Sequence, residues 1–208
     1  MASFSLVHGS WHGGWCWDLV RVELEAHGHV VHAPDLPCED VAAGVAEYAA
    51  AVPAADIVVG HSLGGFTIPL VEARTHVFLT AGVGGTGGPD VLAPGFGDGQ
   101  SRDELGRSYY PDPAVAAAAL QYPSAHTGLA ARLRRQAPLA HESVAVDSAV
   151  YIVCARDAVI RPEWQRHLAR DVLGVEPIEL EAGHSPMLEC PRALADMLDQ
   201  AARRSFST

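Results

Sequence analysis

Three residues far apart in this chain, Ser62, Asp157 and His184, are of the types that together activate a hydroxyl for attack on a carbonyl carbon. Ser62 lies in Gly60-His61-Ser62-Leu63-Gly64-Gly65, a G-x-S-x-G pattern that follows the apolar run Ile57-Val58-Val59. The segment after it, Phe66 to Ala73, is predicted as a helix that Pro69 bends. Strand, sharp turn and helix in that order push a serine hydroxyl out above a sheet, and glycines on either side of it let strand and helix approach. A serine hydroxyl is a weak nucleophile unless a base takes its proton, and imidazole titrates near neutral pH, where such a base is useful. His184 in Glu181-Ala182-Gly183-His184 and Asp157 in Ala155-Arg156-Asp157 each follow a strand pattern. A buried carboxylate on the far ring nitrogen would fix the tautomer and stabilise the imidazolium. Asp147 and Asp98 compete for that role, but only Asp157 stands at a strand end.

Residues so distant in sequence meet only on a scaffold that gathers strand ends. Strand patterns at Phe4–Val7, Val30–Ala33, Ile57–Val59, His76–Thr80, Ala149–Cys154 and Val175–Leu180 alternate with helical ones. The helices are expected near Trp15–Gly28, Val41–Val52, Phe66–Ala73, Pro162–Val172 and Leu188–Ala202. This alternation predicts an α/β fold, a mostly parallel sheet of about six strands with helices on both faces, in which ligands bind at the carboxyl ends of the strands. The loop His8-Gly9-Ser10-Trp11-His12-Gly13-Gly14-Trp15 can turn backbone N–H groups toward a ligand and so contribute to an oxyanion hole. His8 and His12 are candidates for substrate contact, with a structural role in holding that loop as the alternative; Trp11, Trp15 and Trp17 suit core and pocket wall. From Gly82 to Gly99 the chain is glycine-rich, which predicts a mobile loop, and short helices are expected over Pro113–Gln121 and Leu129–Gln136. We read residues 1–208 as a single domain with a small cap inserted at about 82–148.

Composition narrows the partners. With 208 residues, 49% hydrophobic, the chain can bury one sizeable core. A formal charge of −11, with no basic cluster beyond arginine pairs, disfavours nucleic acid and anionic membranes. All 14 basic residues are arginine, so Schiff-base chemistry on lysine is excluded. Cys16, Cys38, Cys154 and Cys190 form no C-x-x-C pair and fit reduced, buried thiols of a cytoplasmic protein. No apolar run reaches membrane-spanning length, and the beginning of the chain reads as a first strand rather than a signal peptide. His27, His29, His32 and Asp35 lie close in sequence, but His29 and His32 would point to opposite faces of a strand, so no metal site is expected. The expected partner is a small-molecule substrate, with no cofactor, for a monomer or homodimer.

The opening His8-Gly-Ser-Trp-His-Gly-Gly-Trp-Cys-Trp17, the elbow Gly60–Gly65, Asp157 with Ile160-Arg-Pro-Glu-Trp-Gln165, and Ala182-Gly-His-Ser-Pro-Met187 resemble the plant methylesterase and hydroxynitrile lyase branch of the α/β-hydrolase superfamily, with its bacterial esterase relatives. The resemblance covers nearly the whole chain except about residues 82–112. It implies Ser62 as nucleophile, His184 as base, Asp157 as its orienter, and oxyanion-hole N–H groups on Ser10 and Leu63. Lyases of that branch carry threonine where this chain has Gly9 and lysine where it has Ser185, so cyanohydrin cleavage by their mechanism is not expected; Gly9 and Ser185 are retained as substrate-side candidates. The chain is also shorter than such relatives, between Pro37 and Val41 and within the cap. The resulting expectation is a serine hydrolase for a small-to-medium apolar carboxylic ester, methyl esters included. Lyase, cyclase or rearrangement chemistry on a natural product, and a catalytically silent ligand-binding protein, are the alternatives.

Overall fold

In a computed structural model of the protein, residues 1–84, 91–140 and 145–206 are described. β1 (Ser3–Val7) runs through a 3-10 turn into α1 (Asp18–Ala26) and β2 (Val30–His32). α2 (Val45–Ala50), β3 (Ala55–His61) and β4 (Ala73–Leu79) follow. The inserted segment holds a two-stranded ribbon, β5 (Ser101–Arg102) and β6 (Ser108–Tyr109), then α3 (Pro113–Ala119) and a 3-10 helix at Ser124–Arg132. β7 (Ala149–Cys154), α4 (Pro162–His167), β8 (Ile178–Leu180), α5 (Pro186–Glu189) and α6 (Pro191–Ser205) complete the chain. The main sheet has six strands in the order β2-β1-β3-β4-β7-β8, every neighbouring pair parallel.

Period-two alternation divides the core into two layers. Ile57, Val59, Val77, Leu79, Ile152 and Cys154 face α1 and α6, whereas Val58, Phe78, Tyr151 and Val153 pack with Tyr48, Ile68 and Leu168 on the other side. Because both faces are covered, the central strands read as nearly continuous apolar runs.

The expected helix over Phe66–Ala73 is absent; two 3-10 turns, Ser62–Phe66 and Ile68–Leu70, take its place and β4 starts already at Ala73. The reason is reach. Ala55 pairs with Ala73, so the connection after His61 must return along the seven residues of β3, roughly 20 Å at strand rise. The eleven residues available span about 17 Å as α-helix but about 22 Å at 3-10 rise. Three further differences have identifiable causes. α2 begins only after Gly44, whose N–H is capped by Glu47 at 2.8 Å. The helix expected over Leu129–Gln136 gives way at Leu133, because Arg134 donates its N–H to the Trp11 carbonyl and Gln136 pairs with Ser108 in both directions. The helix expected over Leu188–Ala202 is broken at Cys190, and Pro191 stands in the first turn of the separate helix α6. The predicted mobile loop at Gly82–Gly99 falls partly outside the described residues; within them, residues 91–99 form turns.

Candidate active site

Ser62 follows β3 directly and has φ +53°, a backbone conformation that a residue with a Cβ seldom adopts. The turn is tight enough to require its glycines. A Cβ on Gly60 would come within 2.8 Å of the Gly64 carbonyl oxygen, and one on Gly64 within 2.8 Å of that of Val7. Ser62 thus emerges at the carboxyl edge of the sheet, beside the loops that follow β7 and β8.

Those loops supply the partners. The Nε2 of His184 stands 3.2 Å from the Ser62 hydroxyl, and its Nδ1 donates to Asp157 Oδ2 at 2.8 Å. Both residues are buried. Asp157 Oδ2 also accepts from the Thr80 hydroxyl and from Gln165 Nε2, and its Oδ1 accepts from the N–H groups of Val159 and Ile160 at 2.6 and 3.1 Å. Burial alone would push this carboxyl up, but His184, Thr80 and the Val159 N–H together outweigh it and hold the group below the usual carboxylate range. With Asp157 ionised, His184 carries its proton on Nδ1 and presents a bare Nε2 to Ser62, the state in which an imidazole accepts a hydroxyl proton. Asp98 and Asp147, the competing carboxylates, are both exposed.

Thr80 and Gln165 act on this carboxylate, yet their part was not assigned from sequence. Gln165 is fully buried; its Nε2 also donates to the Ile160 carbonyl and its Oε1 accepts from the Cys154 N–H. Thr80 has φ +39°, an outlier for a β-branched residue, and it is the position one residue past β4 that would have signalled it.

Ser62 opens on a cavity of about 330 Å³ whose walls include Ser10, Trp11, Leu63, Phe66, Phe96, Ile160 and Trp164. No charged side chain lines it among the described residues. Leu63 is the second residue of a 3-10 turn, where N–H groups lack an acceptor within the turn. The Gly9–Ser10 peptide is held from behind. His8 Nδ1 donates to the Gly9 carbonyl at 2.9 Å, and because a trans peptide points its C=O and N–H in opposite directions, the Ser10 N–H faces away from His8.

Of the substrate-side candidates, His8, Gly9, His12 and Ser185 do not line the cavity. His8 uses its second nitrogen to accept the Leu36 N–H at 3.0 Å. His12 donates to the Ser10 carbonyl and accepts from the Tyr122 hydroxyl at 2.7 Å. Burial lowers His8 to about 4 and His12 to about 3, with the backbone bonds to Gly9 and Ser10 opposing, so both are neutral and take the structural alternative. Ser185 is buried and donates to the Leu120 carbonyl at 2.6 Å, away from Ser62. Gly9 touches the site from outside the cavity: a Cβ there would meet the Ser62 Cβ at 2.8 Å. Trp11 lines the cavity and donates its indole N–H to Ser108 at 3.0 Å. His61, beside Ser62, is turned inward and donates from Nε2 to the His184 carbonyl at 2.8 Å.

His27, His29 and Asp199 bring donor atoms within 4.8 Å of one another. His29 Nδ1 accepts the Ala2 N–H, so the neutral ring carries its proton on Nε2 and donates it to Asp199 at 3.0 Å, leaving no lone pair there for a cation. The four cysteines are free thiols, and burial raises each of them, Cys38 to about 11. No helix among the described residues is long and apolar enough to cross a membrane.

Known proteins resemble the chain in sequence and in fold. Over 96% of the chain and 95% of the relative, the sequence is 26% identical to methylesterase 3 of Arabidopsis thaliana. That alignment runs over 255 positions, so at least 47 of them have no counterpart in a chain of 208 residues. A shorter stretch of 83 positions, 32% of this chain and 31% of the relative, is 41% identical to norfluorocurarine synthase 2 of a Strychnos species. Among solved structures, a pyrethroid hydrolase from Sphingobium faniae superposes with a TM-score of 0.79 at 23% identity, covering 97% of both chains. An Arabidopsis methylesterase superposes with a TM-score of 0.73 at 22% identity, covering 98% of this chain and 99% of its own. The model of the alpha/beta hydrolase family matches residues 6–197, and the chain belongs to that family.

Proposed function

We propose that this alpha/beta hydrolase is a serine esterase that cleaves a neutral, small-to-medium apolar carboxylic ester through an acyl-enzyme, methyl esters being the first class to test. The observation that carries the reading is the hydrogen-bonded series Ser62–His184–Asp157 at the mouth of an uncharged, aromatic-walled cavity. His184 takes the Ser62 proton as Oγ attacks the ester carbonyl, and the N–H groups of Ser10 and Leu63 receive the oxyanion. Collapse of the tetrahedral adduct expels the alcohol, with His184 returning the proton; water then repeats the sequence on the acyl-enzyme and frees the acid. Relatives named as methylesterases and a structural neighbour named as a pyrethroid hydrolase support ester cleavage as the reaction. The inserted segment at about 82–148 serves in this reading as a small cap on a single domain, with Phe96 part of the substrate wall.

Against cyanohydrin-lyase chemistry stand Gly9, which has no room for a larger residue beside Ser62, and Ser185, whose hydroxyl is committed to Leu120. The test is release of p-nitrophenol from short-chain acyl esters by the intact protein and by Ser62→Ala. Continuous turnover that Ser62→Ala abolishes is expected. An undiminished rate in Ser62→Ala would refute the assignment, and a single burst without turnover would mean that acylation proceeds but water does not release the acyl group from Ser62.

A further inference from the structure

Helix α3 ends in a turn that its sequence does not favour. The N–H of Gln121 bonds to the Ala118 carbonyl and that of Tyr122 to Ala117, the pattern of a helix C-terminus closed by a left-handed residue. Glycine or asparagine usually takes that place, yet Gln121 does, at φ +53°. A residue that breaks a local rule calls for a gain elsewhere, and the side chain provides one.

The Gln121 amide reaches out of the inserted segment to both loops of the site. Its Oε1 accepts from the N–H of Ala158 at 2.7 Å and from the N–H of His184 at 2.9 Å, and its Nε2 donates to the Arg156 carbonyl at 3.0 Å. It therefore holds the residues on either side of Asp157 and the backbone of His184 itself. The approach is close: a Cβ on Gly183 would stand 3.0 Å from the Gln121 amide carbon. On the opposite side, His61 fixes the His184 carbonyl at 2.8 Å. With its N–H held by Gln121 and its C=O by His61, the His184 peptide frame cannot drift relative to Asp157.

Building on the esterase reading, we propose that Gln121 is a positioning residue: its amide sets the distance between the loops bearing Asp157 and His184, so the inserted segment registers the catalytic groups as well as walling the substrate. The informative variant is Gln121→Asn. Asparagine suits the left-handed turn at least as well as glutamine, so α3 keeps its end, but its amide is one methylene short of the Ala158 and His184 N–H groups. Gln121→Glu keeps an acceptor for both N–H groups but sets its second oxygen against the Arg156 carbonyl, losing that one hydrogen bond.

Two readouts separate the possibilities. Turnover of p-nitrophenyl butyrate is measured per active site, titrated with an organophosphonate, and the low-field proton resonance of the His184 Nδ1–H bonded to Asp157 is recorded by NMR without substrate. For Gln121→Asn we expect kcat to fall about 10- to 100-fold, the scale of a sub-ångström to ångström misplacement, with KM unchanged and the resonance displaced or lost to exchange. Gln121→Glu, which keeps the contacts to Ala158 and His184 and loses only that to Arg156, should lose less kcat than Gln121→Asn. An unchanged kcat in Gln121→Asn, a rise in KM alone, or a fall in kcat with the resonance intact would overturn the proposal. Because the resonance needs no substrate, it decides the role of Gln121 even if the parent protein shows no Ser62-dependent ester cleavage, which would count against the esterase reading alone.

Discussion

Replacing Asp157 by asparagine changes one atom, and the hydrogen bonds around that atom determine the outcome. Asp157 Oδ1 accepts two backbone N–H groups, from Val159 and Ile160, so in the variant the amide oxygen must occupy that side. The new NH₂ then replaces Oδ2 and faces His184 Nδ1, Thr80 and Gln165 Nε2. Thr80 can rotate its hydroxyl to accept. Gln165 cannot turn over, because its Oε1 is held by the Cys154 N–H and its Nε2 by the Ile160 carbonyl, so two donors oppose each other at about the former 3.0 Å. Such a buried mismatch costs about 1–3 kcal/mol of stability.

The imidazole relieves its own conflict by moving its proton to Nε2, where it points at Ser62 and can no longer accept. The nucleophile loses its base and the imidazolium its counter-charge. The expected fall in kcat/KM is about a thousand- to ten-thousandfold, or roughly 4–5.5 kcal/mol of transition-state stabilisation. The assay is p-nitrophenyl ester turnover at neutral pH, alongside urea denaturation to read the smaller stability loss. Asp147→Asn, at an exposed position, is the control and should leave the rate unchanged. An Asp157→Asn enzyme within tenfold of the parent would refute the tautomer argument and the assignment of Asp157 with it.

Two more outcomes follow from the buried groups around the site. His8 and His12 are depressed to about 4 and about 3, and His61 lies well below its ordinary value, in each case chiefly through burial. Above about pH 6.5 both folded and unfolded chains leave these rings neutral, so the linkage has no effect; as pH falls below that, only the unfolded chain takes up protons. Stability should therefore fall between about pH 6.5 and pH 4, by up to about 1.4 kcal/mol per pH unit for each ring. Equal urea midpoints at pH 7 and pH 5 would contradict this. Gly9→Thr places a Cβ 2.8 Å from the Ser62 Cβ and 3.0 Å from His61 Nδ1. It should cost about 1–3 kcal/mol in thermal or urea melts and lower esterase turnover; a variant as stable and as active as the parent would mean that the elbow has more room than the structure gives it.

What was legible in the chain followed the range of the constraint. The G-x-S-x-G spacing announces a turn because sterics within five residues demand it, and Ser62 duly has φ +53° with no space for a Cβ at Gly60 or Gly64. The strand-end placement of Asp157 and His184 depends only on alternation along the chain, and all six sheet strands lie within the expected segments or overlap them. Less legible were features set by distance in space. Phe66–Ala73 has an acceptable helical pattern, but local propensity contains nothing about a return path too long for eleven α-helical residues. Arg134–Gln136 has helical composition as well, and its conformation is decided by Trp11 and Ser108, more than a hundred and nearly thirty positions away along the chain. The same holds for chemistry. A histidine beside a glycine-rich loop looks identical whether it touches substrate or, like His8, orients a backbone peptide of that loop. Only the pairing of its two nitrogens, one with Gly9 and one with Leu36, distinguishes the cases. The neighbours of Ser62 therefore divide into residues that a motif can identify, because they act through their own position, and residues such as Thr80, Gln165 and Gln121, which hold another residue's position and leave no pattern in the chain.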